Sequence, residues 1–280
     1  MQGSSPKRLL AVLAHPDDES FGMGGTLALY ARRGVEVYLI CATRGEAGEV
    51  SDLKGYASVG DLRQAELECA AQILGLKEVH FLGYRDSGMP GSPENAHPQA
   101  LIRAPLEDVA ARIVAYMRRI QPQVVLTFDP IGGYRHPDHI HIHRATVLAF
   151  ERCADPDFSP AAGAPFQPLA LYYHVFPRWF LRWMVFWMRL LGKDPRRWGK
   201  NGDIDLVSLS EVEFPTHVRI NIRPVLKLKD QAGACHLSQG GGERRGLLDW
   251  LEYLIGGHED FMRAYPPVNG RFRASDLFDV

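Results

Sequence analysis

The cluster best suited to chemistry stands near the amino end: Ala14-His15-Pro16-Asp17-Asp18-Glu19, directly after the apolar run Leu9–Ala14. Imidazole nitrogen and carboxylate oxygen both ligate a divalent cation such as zinc, and a catalytic zinc site keeps one position open for water. Pro16 fixes one backbone dihedral, so the flanking side chains leave the turn in set directions. His15 and one aspartate could supply two ligands while the other aspartate stays free as a base. The plain alternative is an acidic, solvated helix start with a surface histidine. A second cluster, Tyr134-Arg135-His136-Pro137-Asp138-His139, continues into Ile140-His141-Ile142-His143 and follows Phe128-Asp129-Pro130-Ile131-Gly132-Gly133. Spacing leaves several choices of third ligand open. His136 and His139 are neighbours if a helix begins near Pro137, His139 and His143 share a face at i, i+4, and His141 points elsewhere. The plain alternative here is a polar, His-rich helix start.

Both clusters need elements to hold them. Apolar runs at Leu9–Ala14, Val35–Ala42, Val79–Leu82 and Val124–Phe128 read as buried strands. Helical periodicity fills Gly25–Arg33, Asp61–Leu74 (with Asp61 as N-cap and Gly75 as stop) and Pro105–Ile120. Alternating strands and helices imply an α/β fold, a Rossmann-like, mostly parallel sheet flanked by helices. Ligands of such sheets sit beyond the carboxyl ends of the strands, near the switch point, where the two clusters would meet. The C-terminal part is less regular. Strands are expected at Ala170–Val175, Ile204–Val207 and Val218–Ile222, helices at Pro224–His236 and Leu247–Ile255, and loops at Met89–Pro98 and Asp155–Pro168. No repeat or boundary divides the chain, so residues 1–280 are expected to form one domain, with 177–200 as a lid, oligomer or interface insertion.

A formal net charge of -1 gives no global pull toward nucleic acid. The cysteines, Cys41, Cys69, Cys153 and Cys235, are widely spread without a C-x-x-C pair, which suggests a reducing cytoplasm rather than a disulfide framework. The N-terminal apolar run is too short for a signal peptide. A nucleotide site is disfavoured, because no G-x-G-x-x-G follows the first strand and Gly22-Met23-Gly24-Gly25 lies too far past the acidic cluster.

Together the two clusters, Ala14–Glu19 and Gly132–His139, resemble those of the LmbE/PIG-L family of zinc-dependent N-deacetylases. The resemblance covers the first half of the chain, through Thr43-Arg44-Gly45-Glu46, Arg63-Gln64-Ala65-Glu66 and Tyr84-Arg85-Asp86-Ser87-Gly88-Met89. Those segments look most like the branch acting on glucosaminyl conjugates in low-molecular-weight thiol metabolism, of the mycothiol and bacillithiol type. The resemblance implies His15, Asp18 and His139 as metal ligands and Asp17 as general base. It implies that Tyr134 and a protonated His136 hold the oxyanion, that Asp138 orients His136, and that Arg63 and Asp86 lie near the sugar hydroxyls. Zinc is the implied ion, with Fe2+ or Mn2+ as substitutes. The implied reaction frees an amine and acetate from an N-acetylglucosaminyl conjugate, a small-molecule partner. Cleavage of a larger acyl group from a glucosaminyl thiol conjugate is the first alternative, and a non-catalytic metal-holding or membrane-associated module the second.

The segment Arg178-Trp179-Phe180-Leu181-Arg182-Trp183-Met184-Val185-Phe186-Trp187-Met188-Arg189-Leu190-Leu191 is unusual. As a helix it sets Arg178, Arg182 and Arg189 on one stripe, and it is too short and charged to span a bilayer. A helix buried in this chain or in a homo-oligomer is the expected reading, ahead of a channel lid and of peripheral membrane contact. His236, at the expected end of a helix, is read as a capping residue ahead of a pocket-rim role.

Overall fold

The computed structural model describes residues 6–176, 178–198, 202, 204–242, 257–268 and 272–280. The elements run β1 (Arg8–Leu13), α1 (Asp18–Phe21), α2 (Gly24–Arg32), β2 (Glu36–Cys41), α3 (Val59–Leu74), β3 (Glu78–Phe81), α4 (Leu106–Ile120) and β4 (Val124–Phe128). They continue with α5 (Gly132–Arg135), α6 (Pro137–Arg152), β5 (Ala170–Val175), α7 (Arg178–Leu190), α8 (Leu206–Leu209), β6 (Val218–Asn221), α9 (Leu226–Cys235) and β7 (His258–Tyr265). One seven-stranded sheet takes the order β3-β2-β1-β4-β5-β7-β6. The first five strands are mutually parallel, while β7 runs antiparallel to both β5 and β6. β1, β2 and β4 are apolar along almost their whole length because helices cover both faces of the sheet. The chain passes from β1 outward to β2 and β3, then returns to lay β4 on the other side of β1. The switch point therefore lies between β1 and β4.

Several expectations are corrected. Ser58, three residues before Asp61, caps α3 by accepting from the Asp61 N–H at 3.1 Å, and its hydroxyl donates back to the Asp61 carboxylate at 2.6 Å. Ile204–Val207 is not a strand. Ile204 makes a single bridge with Trp198, and the Asp205 carboxylate then caps α8 through the Val207 and Ser208 N–H groups. A local cap here overrides the β-propensity of two branched residues. Leu247–Ile255 lies outside the described residues. The expectation that all four cysteines are reduced does not hold. Cys69 of α3 and Cys235 of α9 are joined in a disulfide across 166 residues, with Cα atoms 6.0 Å apart. Packing of α3 on α9 brings them together, and linear spacing carries no trace of that.

The aromatic segment does form a helix, α7, but not a buried one. Only Val185 is fully buried; it joins Leu206 and Leu209 in a small satellite cluster that also takes in Ile131 and Tyr134. Among the described residues no helix is long and apolar enough to cross a membrane.

The antiparallel edge is tied to the first βα unit by one buried carboxylate. Met23, which precedes α2, offers no cap; instead Glu259 of β7 accepts from the Gly25 N–H at 3.0 Å and the Thr26 N–H at 2.7 Å. Lys229 of α9 neutralises the same carboxylate at 2.6 Å. A helix N-terminus favours an anion, and a glycine lets the backbone come close. A Cβ on Gly25 would sit 2.6–2.8 Å from three carbons of Ile222. Gly25→Ala is therefore expected to cost about 1–3 kcal/mol of stability through overpacking. A urea midpoint equal to that of the unchanged protein would contradict this close approach.

Candidate active site

β1 ends in a turn whose geometry is unusual at one residue. Asp17 has φ 118°, a region that side-chain-bearing residues rarely occupy and that costs of order 1–3 kcal/mol. Three contacts hold it there. Its N–H donates to the Glu19 carboxylate at 3.0 Å, its own carboxylate accepts from the Arg63 guanidinium at 3.0 Å, and Arg63 also donates to the Pro16 carbonyl at 2.7 Å. Arg63 reaches in from α3 and is only 4% exposed. The Gly45 carbonyl accepts from it as well, at 2.9 Å. Gly45 has φ +68°, and a Cβ there would lie 2.2–2.8 Å from the guanidinium, so only glycine leaves room.

The same turn brings His15 and Asp18 together, with the Asp18 carboxylate accepting from the His15 N–H at 2.8 Å. After β4, the Asp129 carboxylate ties a loop by accepting from the Ile131 and Gly133 N–H groups at 3.0 and 2.9 Å. Gly132, at φ +67°, passes so close to His139 that a Cβ would meet the His139 Cβ at 2.8 Å. The loop delivers the chain to His136, the N-cap of α6, with Pro137 in the first turn. Asp138 and His139 follow on the buried side of that turn. The His139 ring stacks on Phe128 with centroids 3.9 Å apart, which fixes its plane.

Three donor atoms then converge. His15 Nδ1 and His139 Nε2 are 3.2 Å apart, His139 Nε2 is 3.2 Å from one Asp18 oxygen, and His15 Nδ1 is 3.7 Å from the other. Ligands about 2.1 Å from a shared ion stand roughly 3–3.5 Å from each other, and two imidazoles with a carboxylate are an ordinary zinc donor set. These residues fit a divalent cation. The other ring nitrogen of His15 is gripped by two carboxylates, Asp138 at 3.0 Å and Asp86 at 3.3 Å. A carboxylate on the far nitrogen of a metal-binding imidazole fixes its tautomer and raises its basicity. His136 also stands within reach of His15 and His139, all three offering atoms within 4.8 Å of one another.

The expected partner of Asp138 is corrected by these distances. Its carboxylate meets His15 and the Ser87 N–H at 2.9 Å, while only its backbone N–H donates to His136 Nδ1, at 3.2 Å. Since Nδ1 accepts, a neutral His136 carries its proton on Nε2. Burial, then His15 and His139, hold the His136 pKa well below the usual range, so the ring is neutral rather than protonated. A dication would press in the same direction. Burial likewise raises Tyr134 well above its usual range, with Asp18, Asp17 and Asp86 adding to it, and its hydroxyl stays a donor. Burial pushes Asp17 up to about 6, against the pull of Arg63. Asp18 goes the other way: burial raises it, but His139 and His15 more than offset that and hold it below the usual carboxylate range.

Some residues fall elsewhere. His143 donates from Nδ1 to the Phe128 carbonyl at 2.8 Å and packs on Tyr173, so its shared face with His139 serves the helix rather than the cluster. His141 joins neither ligand-capable group. His236 does end α9, but its side chain caps nothing. It is fully buried and 2.7 Å from the Glu19 carboxylate that holds Asp17. Gly45, Gly132, Ser87, Asp129 and Glu19 all shape the site without having been picked out as functional, and His236 was read first as a cap. Glu19 stood in the first motif, and its contacts with the Asp17 N–H and with His236 reveal its use.

Known proteins bear on this arrangement. A family model described as PIG-L: GlcNAc-PI de-N-acetylase matches residues 10–150. A 1D-myo-inositol 2-acetamido-2-deoxy-alpha-D-glucopyranoside deacetylase of Geodermatophilus obscurus is 36% identical, covering 83% of each chain. A protein of the same name from Rhodococcus erythropolis is 38% identical over 84% of this chain and 82% of its own. In fold, the chain is similar to N,N'-diacetylchitobiose deacetylase of Pyrococcus horikoshii, with a TM-score of 0.61 and 22% identity over 92% of this chain and 84% of that one. With the two matched clusters meeting at one switch point, the chain belongs to the PIG-L family of de-N-acetylases.

Proposed function

We propose that the chain is a metal-dependent N-deacetylase that hydrolyses the acetamide of an N-acetylglucosaminyl conjugate, with His15, Asp18 and His139 holding the ion. One observation carries the reading: three metal-type donors converge within 3.2–3.7 Å while a second carboxylate, Asp17, is held apart from them by Arg63. A bound dication supplies Lewis acidity, polarising the amide carbonyl and acidifying the attacking water. Zinc suits the donors best, and iron or manganese would satisfy the same set.

The chain's own groups do the rest. Asp17, its carboxylate oriented by Arg63, takes the proton of the water. With a pKa raised by burial to about 6, it is ionised at neutral pH yet basic enough to accept a proton. The Tyr134 hydroxyl and the Nε2–H of neutral His136 donate to the oxygen on which negative charge develops. Protonated Asp17 then returns its proton to the leaving nitrogen, because a neutral His136 with an occupied Nδ1 has none to spare. Asp138 keeps His15 in the tautomer whose Nδ1 faces Asp18 and His139. Arg63 and Asp86 are assigned to the sugar hydroxyls. The aglycone in the names of the curated relatives, myo-inositol, is the first to test.

Incubating the metal-loaded protein with 1D-myo-inositol 2-acetamido-2-deoxy-alpha-D-glucopyranoside should release free amine and acetate in equal amounts. Absence of both, across a panel of N-acetylglucosaminyl compounds, would end the proposal, and preference for a bulky acyl group would make the chain an amidase of larger acids. Asp17→Asn should lower kcat by about 10²–10⁴ while metal content, read by elemental analysis, stays unchanged. Normal turnover by that variant would remove Asp17 from the mechanism. A general base works only when deprotonated, so burial of Asp17, which pushes its pKa up to about 6, moves the acidic fall of kcat/KM upward from about 4, while a dication at His15, Asp18 and His139 draws it part of the way back, placing the fall between about pH 4 and pH 6; a fall above pH 7 would disagree. Asp138→Ala should weaken metal affinity about 10–100-fold in a buffered titration, since His15 loses its brace. Unaltered affinity would show that Asp138 serves another purpose.

A further inference from the structure

The outer face of α7 is the least explained surface of the molecule. Its inner face, through Leu181, Met184, Val185 and Met188, packs on α8 and on Ile131 and Tyr134. Its outer face carries Trp179, Trp183, Phe186, Trp187 and Leu190, between 39% and 63% exposed. At one residue per 100° these side chains span an arc about 100° wide, and Arg182 and Arg189 line one margin of it. Phe176, Leu191 and Trp198 extend the exposed apolar surface at both ends of the helix. Apolar patches of this kind on a soluble protein mark a site of contact.

Charge indicates what covers it. From residue 178 to residue 198 the cations are Arg178, Arg182, Arg189, Lys193, Arg196 and Arg197, against the single anion Asp194, in a chain whose net charge is -1. Arg178 is paired with Glu213. Among the described residues, Arg182 and Arg189 show no carboxylate partner within 4.0 Å. A second copy of the chain docking through this face would bring each basic set against its own duplicate, a like-charge arrangement that costs energy. An anionic lipid surface meets both demands at once: aromatic rings enter the headgroup region while arginines extend to phosphate. The helix has 13 residues, about 20 Å at 1.5 Å per residue, so it lies on a bilayer rather than through it.

We infer that α7 is an interfacial helix that docks the protein on an anionic lipid bilayer. Docking would set the catalytic end of the molecule beside the membrane. Tyr134 packs in the cluster under α7 and also lines a cavity of about 290 Å³ with Met89, Pro90, Arg135, Asp205, Ser208 and Leu209. A substrate held at the bilayer would reach the site without crossing bulk water.

The test uses the full chain and vesicles, and it reads binding rather than turnover, so its outcome is independent of the deacetylase reading. The protein should sediment with vesicles of equal parts phosphatidylglycerol and phosphatidylcholine, and stay in the supernatant with phosphatidylcholine alone. Four of the five tryptophans, Trp179, Trp183, Trp187 and Trp198, lie on or beside this helix, so binding should also shift tryptophan emission to the blue. The triple substitution W183S/F186S/W187S should abolish sedimentation. R182Q/R189Q, which changes only exposed residues, should weaken vesicle affinity roughly thirtyfold and leave what remains less sensitive to salt. Failure of the unchanged protein to bind anionic vesicles, or equal binding by both variants, overturns the inference. A dimer seen by light scattering that the triple substitution dissociates, without vesicle binding, also overturns it and gives the face to a second copy.

Discussion

β1 and β4 are neighbours in a parallel sheet, and the chain leaves them toward opposite halves of the molecule. Parallel strands lie about 4.8 Å apart, so the two loops that follow them start side by side. That spacing lets His15 and His139, 124 residues apart in sequence, bring ring nitrogens to 3.2 Å. The proposed chemistry rests on this meeting, because the proposed ligand set draws His15 and Asp18 from one loop and His139 from the other. The apolar strands are the precondition: a sheet covered on both faces by helices gives the loops a rigid base.

The site concentrates ionisable groups where burial is costly. His15, Asp86, Asp138, His139 and Arg63 are all nearly inaccessible to solvent, and each is tied to another of the set. Burial alone would drive the carboxylates neutral; mutual contact divides them into two kinds. Asp18 and Asp86 are held ionised by the histidines beside them. Asp17, whose chief influence is burial, is instead pushed up to about 6, which suits the proton-accepting role proposed for it. Backbone strain serves the same division. The unusual φ of Asp17 turns its carboxylate toward Arg63, and Glu19 with His236 braces the peptide from behind.

The C-terminal third is more than a cover. Glu259 caps the helix that follows the first motif, His236 supports Glu19, and Cys235 anchors α9 to α3, the helix that carries Arg63. The antiparallel edge and α9 thus act on the catalytic turn from outside the segment that bears the family motifs. α7 stands apart from this arrangement and meets the site through the small cluster around Val185 and Tyr134.

The alternation of apolar runs and amphipathic stretches determined the parallel sheet, since a doubly covered strand must be apolar throughout. Residue types alone also marked the two loops, because His, Asp and Glu packed at strand ends have few structural uses. What the sequence left open was partnership across distance. Whether the Asp138 carboxylate faces His136 or His15 depends on how α6 leans over β1, and only the fold decides it. The same holds for the Cys69–Cys235 pair and for His236 on Glu19, contacts spanning 166 and 217 residues. The aromatic helix is the reverse case: its amphipathic pattern is plain in the sequence, but which face would be covered depended on how little of the protein lies against it. Local preferences are written residue by residue, whereas long-range contacts arise from packing, which no single segment encodes.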